Sequence, residues 1–351
     1  MKRGTPRVSS NYIRGFDGLR ALAVGAVMAD HLSIPGFSYG WLGVPLFFVL
    51  SGFLITGILY DGRNGPAYFS RFYTRRAVRI LPIYFLVIAL ILIAGGMRHW
   101  AISDWPWFAF LLENWKLGVE GWSGKVAFPP FLYHGWSLAV EEQFYLLWPL
   151  VIAALSPRAF RAVLALVIVS AAVFRVMITP YVAEPFWLLP ADLLGWGAVG
   201  ALLIRSHIRI STTVLALGVA GAGIGCILLA RTAWLVPLSG PLFLGVLLLV
   251  ERGVATGMLE LRPLRYLGRI SYGLYLYHLP TFVFLAAAAH RWAPGLQPVA
   301  ADAIKIAAAV AVAVLSYHLI ERPLLRRVPT MRQPEQPPVR RAESPGKPAS
   351  P

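Results

Sequence analysis

The feature that most constrains this chain is its repeated runs of about twenty apolar residues, the length a helix needs to cross a hydrocarbon layer of roughly 30 Å. Inside lipid each backbone N–H and C=O must be satisfied within its own segment, so such runs fold as helices. Across 351 residues, 58% are hydrophobic and 14% charged, against about a quarter charged in soluble domains. A soluble enzyme with a fully hydrated surface is excluded, and an all-α polytopic membrane helical bundle is predicted. Ten spans are expected, with approximate cores at 17–34, 41–60, 77–97, 137–155, 159–178, 186–205, 212–230, 234–250, 270–289 and 299–320. The stretch 105–115 (WPWFAFLLENW) is too short to cross and reads as a re-entrant or interfacial helix. Twelve Trp and fourteen Tyr suit rings that favour the headgroup zone.

Charge supplies the sidedness. Lys and Arg number 32 against 16 Asp and Glu, a net +16. In a soluble chain this would point to nucleic acid; here the positive-inside rule accounts for it, and no nucleic-acid partner is expected. Loop 61–76 carries Arg63, Arg71, Arg75 and Arg76 against Asp61, loop 156–161 carries Arg158 and Arg161, and Arg205 and Arg209 follow Ile204. The intervening loops differ: 35–40 is uncharged, and 98–136 sets Arg98, Lys116 and Lys125 against Asp104, Glu113 and Glu120. Alternate basic loops place both termini in the cytoplasm and require an even number of spans. The expected organisation is a cytoplasmic segment at 1–15, a membrane domain at 16–322 and a tail at 323–351. That tail is Pro-rich and polar from Pro329 onward and reads as disordered. The basic start (Lys2, Arg3, Arg7, Arg14) precedes an apolar run with no small-residue cleavage site, so the first span is expected to be retained. Cys226 is the single cysteine, which rules out an intrachain disulfide. No internal repeat is visible, which weighs against an inverted-repeat transporter.

Ionisable groups within apolar runs are costly, and each is a functional suspect. Arg20 and His31 are eleven residues apart, close to three helical turns, and so share a face about 16 Å apart along the axis. Asp17 can pair with Arg20 at i,i+3. The pair is either a reactive stripe or a snorkelling arginine with a histidine satisfied in the bundle. Arg75, Arg76 and Arg79, entering the third span, are either a positive-inside anchor or a two-pronged clamp for phosphate. HGWSLAVEEQFYLLWP holds a third cluster (His134, Trp136, Ser137, Glu141, Glu142 and Gln143), in which Glu141 and Glu142 open an apolar span. Adjacent helical positions point about 100° apart, so only one faces a given site. Such a carboxylate either acts chemically or holds an arginine from another helix. Asp192, His278, His318, Glu321 and Arg322 are weaker signals, each able to pair within the bundle. Ser51 lacks the G-x-S-x-G context of a hydrolase nucleophile, and the histidines lack metal-ligand spacing, so no metal is expected.

Five ordered segments carry a resemblance: FDGLRALAVGAVMADH, LGVPLFFVLSGFLIT, FYTRRAVRILPIYF, GWSLAVEEQFYLLWPL and LGRISYGLYLYHLP. Together they resemble acyltransferase family 3, polytopic membrane enzymes that acylate glycans, lipid-linked sugars and some antibiotics. The likeness runs from about Arg14 to Arg322. The family's Arg-x10-His motif falls on Arg20 and His31, its basic motif on Arg75, Arg76 and Arg79, and its Trp-Ser-Leu-x-x-Glu-Glu motif on Trp136, Ser137, Leu138, Glu141 and Glu142. Pro45 departs from the pattern, which commonly has Asp or another polar residue there. The chain also ends soon after its last span, as in stand-alone members without a fused esterase-like domain. The resemblance implies a multi-pass protein of the cell membrane that takes an acyl group, often acetyl, from cytoplasmic acyl-CoA and gives it to a hydroxyl. Acyl-CoA is thus a donor substrate, and no permanently bound cofactor is implied. Arg75, Arg76 and Arg79 would hold donor phosphates, and Arg20 would line the donor's path. His31 would serve as general base, with Glu141 or Glu142 orienting it or the acceptor, and Trp136 and Ser137 would contact substrate. The acceptor would be a hydroxylated glycan or a small molecule such as a macrolide sugar. A proton-coupled transporter using His31, Asp192 and Glu141 is the reading from another class.

Overall fold

The computed structural model describes residues 13–120, 126–178, 190–206, 208 and 210–328. Within these, all regular structure is helical. Most of the expected terminal segments (1–12 and 329–351) and the opening of the expected sixth span (186–189) lie outside the described residues.

The chain begins with α1 (Arg14–His31), a 3-10 turn at Gly40–Leu42, α2 (Gly43–Gly62) and α3 (Tyr68–Arg98). Two short helices, α4 (Trp105–Ala109) and α5 (Glu113–Glu120), and a second 3-10 turn (Pro130–Gly135) lead into α6 (Trp136–Ala154) and α7 (Pro157–Ile178). Then come α8 (Ala191–Arg205), α9 (Thr212–Leu228), α10 (Leu235–Glu251), α11 (Thr256–Leu259) and α12 (Arg262–Arg269). The described chain closes with α13 (Ser271–Trp292), α14 (Pro298–Ser316), a π-helical turn (Tyr317–Glu321) and α15 (Arg322–Arg326).

Each of the ten expected apolar runs overlaps a helix where it is described, and among the described residues five helical segments are long and apolar enough to cross a membrane: Gly40–Gly62, Tyr68–Arg98, Pro157–Met177, Ser271–Trp292 and Pro298–Arg326. Their outward faces are apolar. Leu166 on α7 and Leu217, Ile227 and Leu228 on α9 are each 67–77% exposed, a surface that suits lipid and would associate in water. The expected interfacial stretch is not one helix but two, α4 and α5, separated where Leu111 takes a positive φ of 57°. The third span starts nine residues before its expected core. At 31 residues α3 is about 46 Å long, more than a hydrocarbon core requires, so its arginine-bearing turns extend beyond the apolar stretch. Pro45 sits in the first turn of α2, where a missing N–H breaks no helical hydrogen bond.

Glycine sets how closely α2 and α8 approach. A Cβ on Gly197 would collide with the carbonyl of Val49, and one on Gly52 with the carbonyl of Leu194. Bare backbones therefore meet, as small residues permit in membrane bundles. Gly197→Val should cost about 1–3 kcal/mol through overpacking and lower the thermal midpoint in detergent by several degrees. Gly218→Ala on α9, where an added Cβ meets nothing within 4 Å, should leave the midpoint unchanged or raised. Equal midpoints for wild type and Gly197→Val would contradict this packing.

Candidate active site

A cavity of about 1860 Å³ runs between α1, α2, α3, α6 and α13. That exceeds the ~300–1,000 Å³ of ordinary small-molecule pockets. Along α2 its lining extends from Asp61 to Val44, about 26 Å at 1.5 Å per residue. The two ends differ in chemistry. At one end lie the start of α1, the ends of α2 and α8, and the basic turns of α3, contributing Arg20, Arg71, Arg75, Arg76, Arg79, Arg205 and Arg269. At the other end the lining is Val44, Phe47, Ser137, Leu138 and Tyr275.

Several arginines are fixed by partners. Asp17 Oδ1 accepts from Arg20 Nη1 at 3.0 Å, the pairing the spacing predicts, and Asp17 Oδ2 lies 3.9 Å from Arg269 Nε. Arg205 donates through Nε to Asp61 at 2.7 Å. The guanidinium of Arg76 lies over Tyr145, 5.0 Å from the ring centroid, a cation–π arrangement that holds its plane in place. Arg75, Arg76 and Arg79 all line the cavity. Of the adjacent carboxylates only Glu141 lines it, accepting from Ser51 Oγ at 2.8 Å and Tyr145 Oη at 3.1 Å. Glu142 is outside the lining, as is Trp136, which packs on Phe48 with ring centroids 6.0 Å apart.

His31 is not part of the cavity wall. It is the last residue of α1 and is exposed at the end of the bundle remote from the arginines. Its Nδ1 lies 2.9 Å from Nε2 of His278 on α13. His278 is fully buried, and one helical turn earlier on α13 Tyr275 lines the cavity. There the Tyr275 hydroxyl is 2.8 Å from Ser137 Oγ and 3.2 Å from the His134 carbonyl. The turn from Tyr275 to His278 rises only about 4.5 Å. Tyr275 therefore links the arginine-lined cavity, which its side chain helps to line, to the histidine cluster gathered on its carbonyl.

Among the weaker signals, Asp192 is buried and bound to Arg175 at 2.9 Å, while His318 meets Tyr266 at 3.0 Å. Glu321 is buried and lines the cavity. His134, a member of the HGWSLAVEEQFYLLWP cluster, joins the site through the Tyr275 carbonyl. Ser51, Tyr145 and Tyr275 join it too, although the sequence gives their side chains no role, and only the contacts across helices mark them.

An acyltransferase-domain profile matches residues 13–318, nearly the whole described chain. The chain belongs to acyltransferase family 3. Other members are similar along most of its length. The peptidoglycan O-acetyltransferase OatA of Listeria monocytogenes is 30% identical, covering 92% of this chain and 57% of its own. The O-acetyltransferase OatA of Staphylococcus aureus (strain NCTC 8325 / PS 47) is 29% identical, covering 93% and 59%. The chain thus spans less than three fifths of these relatives. No solved structure matches it. The cavity arginines and the three histidines of the cluster all lie within the matched residues.

Proposed function

We propose that the protein is a multi-pass O-acyltransferase of the cell membrane that moves an acetyl group from cytoplasmic acyl-CoA to a hydroxyl of a glycan, with peptidoglycan the first acceptor to try. The observation that carries this reading is the two-ended site: an arginine-lined cavity about 26 Å deep whose inner end lies one helical turn from the histidine cluster. In this reading residues 16–322 form the membrane domain, with ten spans and both termini in the cytoplasm, so the arginine end faces acyl-CoA and His31 faces the other side.

The donor's phosphates engage Arg75, Arg76 and Arg79 through charge-assisted hydrogen bonds, with Arg20 beside the path of its thioester arm. The thioester reaches the Ser137–Tyr275 end, and transfer requires it to pass the Tyr275 ring. His31 takes the proton of the acceptor hydroxyl at Nε2. The acceptor oxygen bonds the acyl carbon, the carbon–sulfur bond breaks, and the proton neutralises the departing thiolate. A positioned base of this kind contributes about 10²–10⁴-fold. Glu141, held by Ser51 and Tyr145, shapes the donor cavity rather than the histidine cluster.

The test is incubation of the purified protein in detergent with labelled acetyl-CoA, with and without peptidoglycan fragments or a macrolide. Label transfer that depends on the glycan is expected. Transfer to the macrolide alone would replace the acceptor assignment, and no turnover of acetyl-CoA with any acceptor would end the donor assignment. Sidedness has its own check. Reporter fusions after Asp61 and Ser206 should read as cytoplasmic and fusions within 116–126 as external. A cytoplasmic signal from 116–126 would overturn the ten-span arrangement.

A further inference from the structure

The histidine cluster fixes more than a contact. The carbonyl of Tyr275 can only accept hydrogen bonds, and two ring nitrogens converge on it: His278 Nδ1 at 2.7 Å and His134 Nε2 at 3.0 Å. A carbonyl oxygen cannot donate, so a ring nitrogen bonded to it must carry the proton. In a neutral imidazole one nitrogen donates and the other accepts. With Nδ1 of His278 committed as donor, its Nε2 is left as an acceptor. That acceptor is 2.9 Å from Nδ1 of His31, and the two rings lie nearly parallel, 22° apart with centroids separated by 5.0 Å. His31 therefore donates from Nδ1, and its lone pair is confined to Nε2.

The His278 ring is itself closely packed. It is fully buried, with His134 at 5.1 Å, Tyr275 at 5.7 Å and Phe282 at 5.6 Å between ring centroids. The order of hydrogen bonds, from a helix carbonyl to a buried ring to an exposed ring, is that of a base held in one tautomer by a fixed partner.

We propose that His278 is a positioning residue for acyl transfer: anchored on the Tyr275 carbonyl, it accepts from His31 Nδ1 and thereby presents the His31 Nε2 lone pair to the acceptor hydroxyl. The proposal rests on the reading of His31 as the base. His278 touches neither substrate, and its effect is exerted through His31. When His31 takes up a proton at Nε2, the same Nδ1–H···Nε2 bond becomes charge-assisted, which stabilises the imidazolium as it forms.

The experiment compares full-length wild type, His278→Leu, His278→Gln and His31→Ala in detergent, by acetyl-transfer kinetics and by nitrogen-15 NMR of histidine-labelled protein. The His31 signals are identified by their loss in His31→Ala. Wild type should show His31 protonated at Nδ1 and bare at Nε2. His278→Leu, which removes the acceptor, should lower kcat by about 10²-fold or more, the scale of losing a usable base, with KM for acetyl-CoA within about twofold. His278→Gln, whose amide oxygen can still accept, should recover at least about tenfold of that loss. A purely structural role would lower the amount of folded protein or shift both kinetic constants, without this rescue. His31 found protonated at Nε2 in wild type would overturn the proposal even if His278→Leu failed to fold. Wild-type kcat in His278→Leu with His31→Ala inactive would also overturn it while leaving the base assignment intact. Activity retained in His31→Ala would instead overturn the base assignment beneath it.

Discussion

Replacing His31 with alanine is expected to reduce acyl transfer at least about 100-fold, the lower bound for a positioned general base, while acyl-CoA affinity stays at the wild-type level. Both halves of the forecast follow from geometry. His31 lies beyond Tyr275 and outside the cavity lining, so its removal leaves the arginines and the inner wall untouched. It is also exposed at the end of α1, so truncation opens no cavity in the packed interior and should not prevent folding. The measurements are turnover with labelled acetyl-CoA and equilibrium binding of a non-hydrolysable acyl-CoA analogue. Activity above about one per cent of wild type would contradict the role, because that much rate survives only if another group removes the proton. A matching loss of donor affinity would instead mean that the cavity and the histidine cluster are one site.

The arginines give the second forecast, in which anchoring and recognition predict opposite results. If Arg75, Arg76 and Arg79 only hold α3 at the membrane surface, lysine replaces them without loss, since charge alone sets topology. If they grip phosphates by planar, two-pronged hydrogen bonding, lysine cannot reproduce the fork. Arg79→Lys should then weaken acyl-CoA binding on the order of ten-fold, about 1.4 kcal/mol, with acceptor affinity unchanged. Arg79 is expected to show the largest loss of the three, because it lies deepest along α3, nearest the apolar stretch and least replaceable by water. Arg76→Lys also forfeits the stacking on Tyr145. Arg20→Lys should resemble Arg79→Lys, because Arg20 lines the same cavity while paired with Asp17. The readout is acyl-CoA affinity of each correctly inserted variant. Wild-type affinity in every lysine variant would leave these residues as topology signals.

The local chemistry of the site was legible where one helix carries it. The i,i+3 spacing of Asp17 and Arg20 predicts a pair, and the pair forms. The 100° step between Glu141 and Glu142 predicts that one carboxylate faces a site, and Glu141 alone lines the cavity. Arg75, Arg76 and Arg79 predict a basic cluster, and all three meet one cavity. The spacing of Arg20 and His31 places them on one stripe, but spacing along a helix says nothing of what packs between its ends. Here Arg20 lines the cavity, whereas His31 lies outside the lining and meets His278, from a helix more than 240 residues later in the chain.

Apolar run length and the period of the helix are local properties, so the sequence by itself determined the helical fold and the approximate positions of its apolar helices. Only the tertiary structure decided that Ser51 and Tyr145 hold Glu141, and that Gly52 and Gly197 let α2 and α8 touch. It also decided that His278, only a weak signal in the sequence, meets His31 across 247 positions. The reason is physical: a hydrogen bond between helices depends on their rotation, offset and separation. Those are set by side chains and bare backbone meeting from several helices at once, and no single helix encodes them.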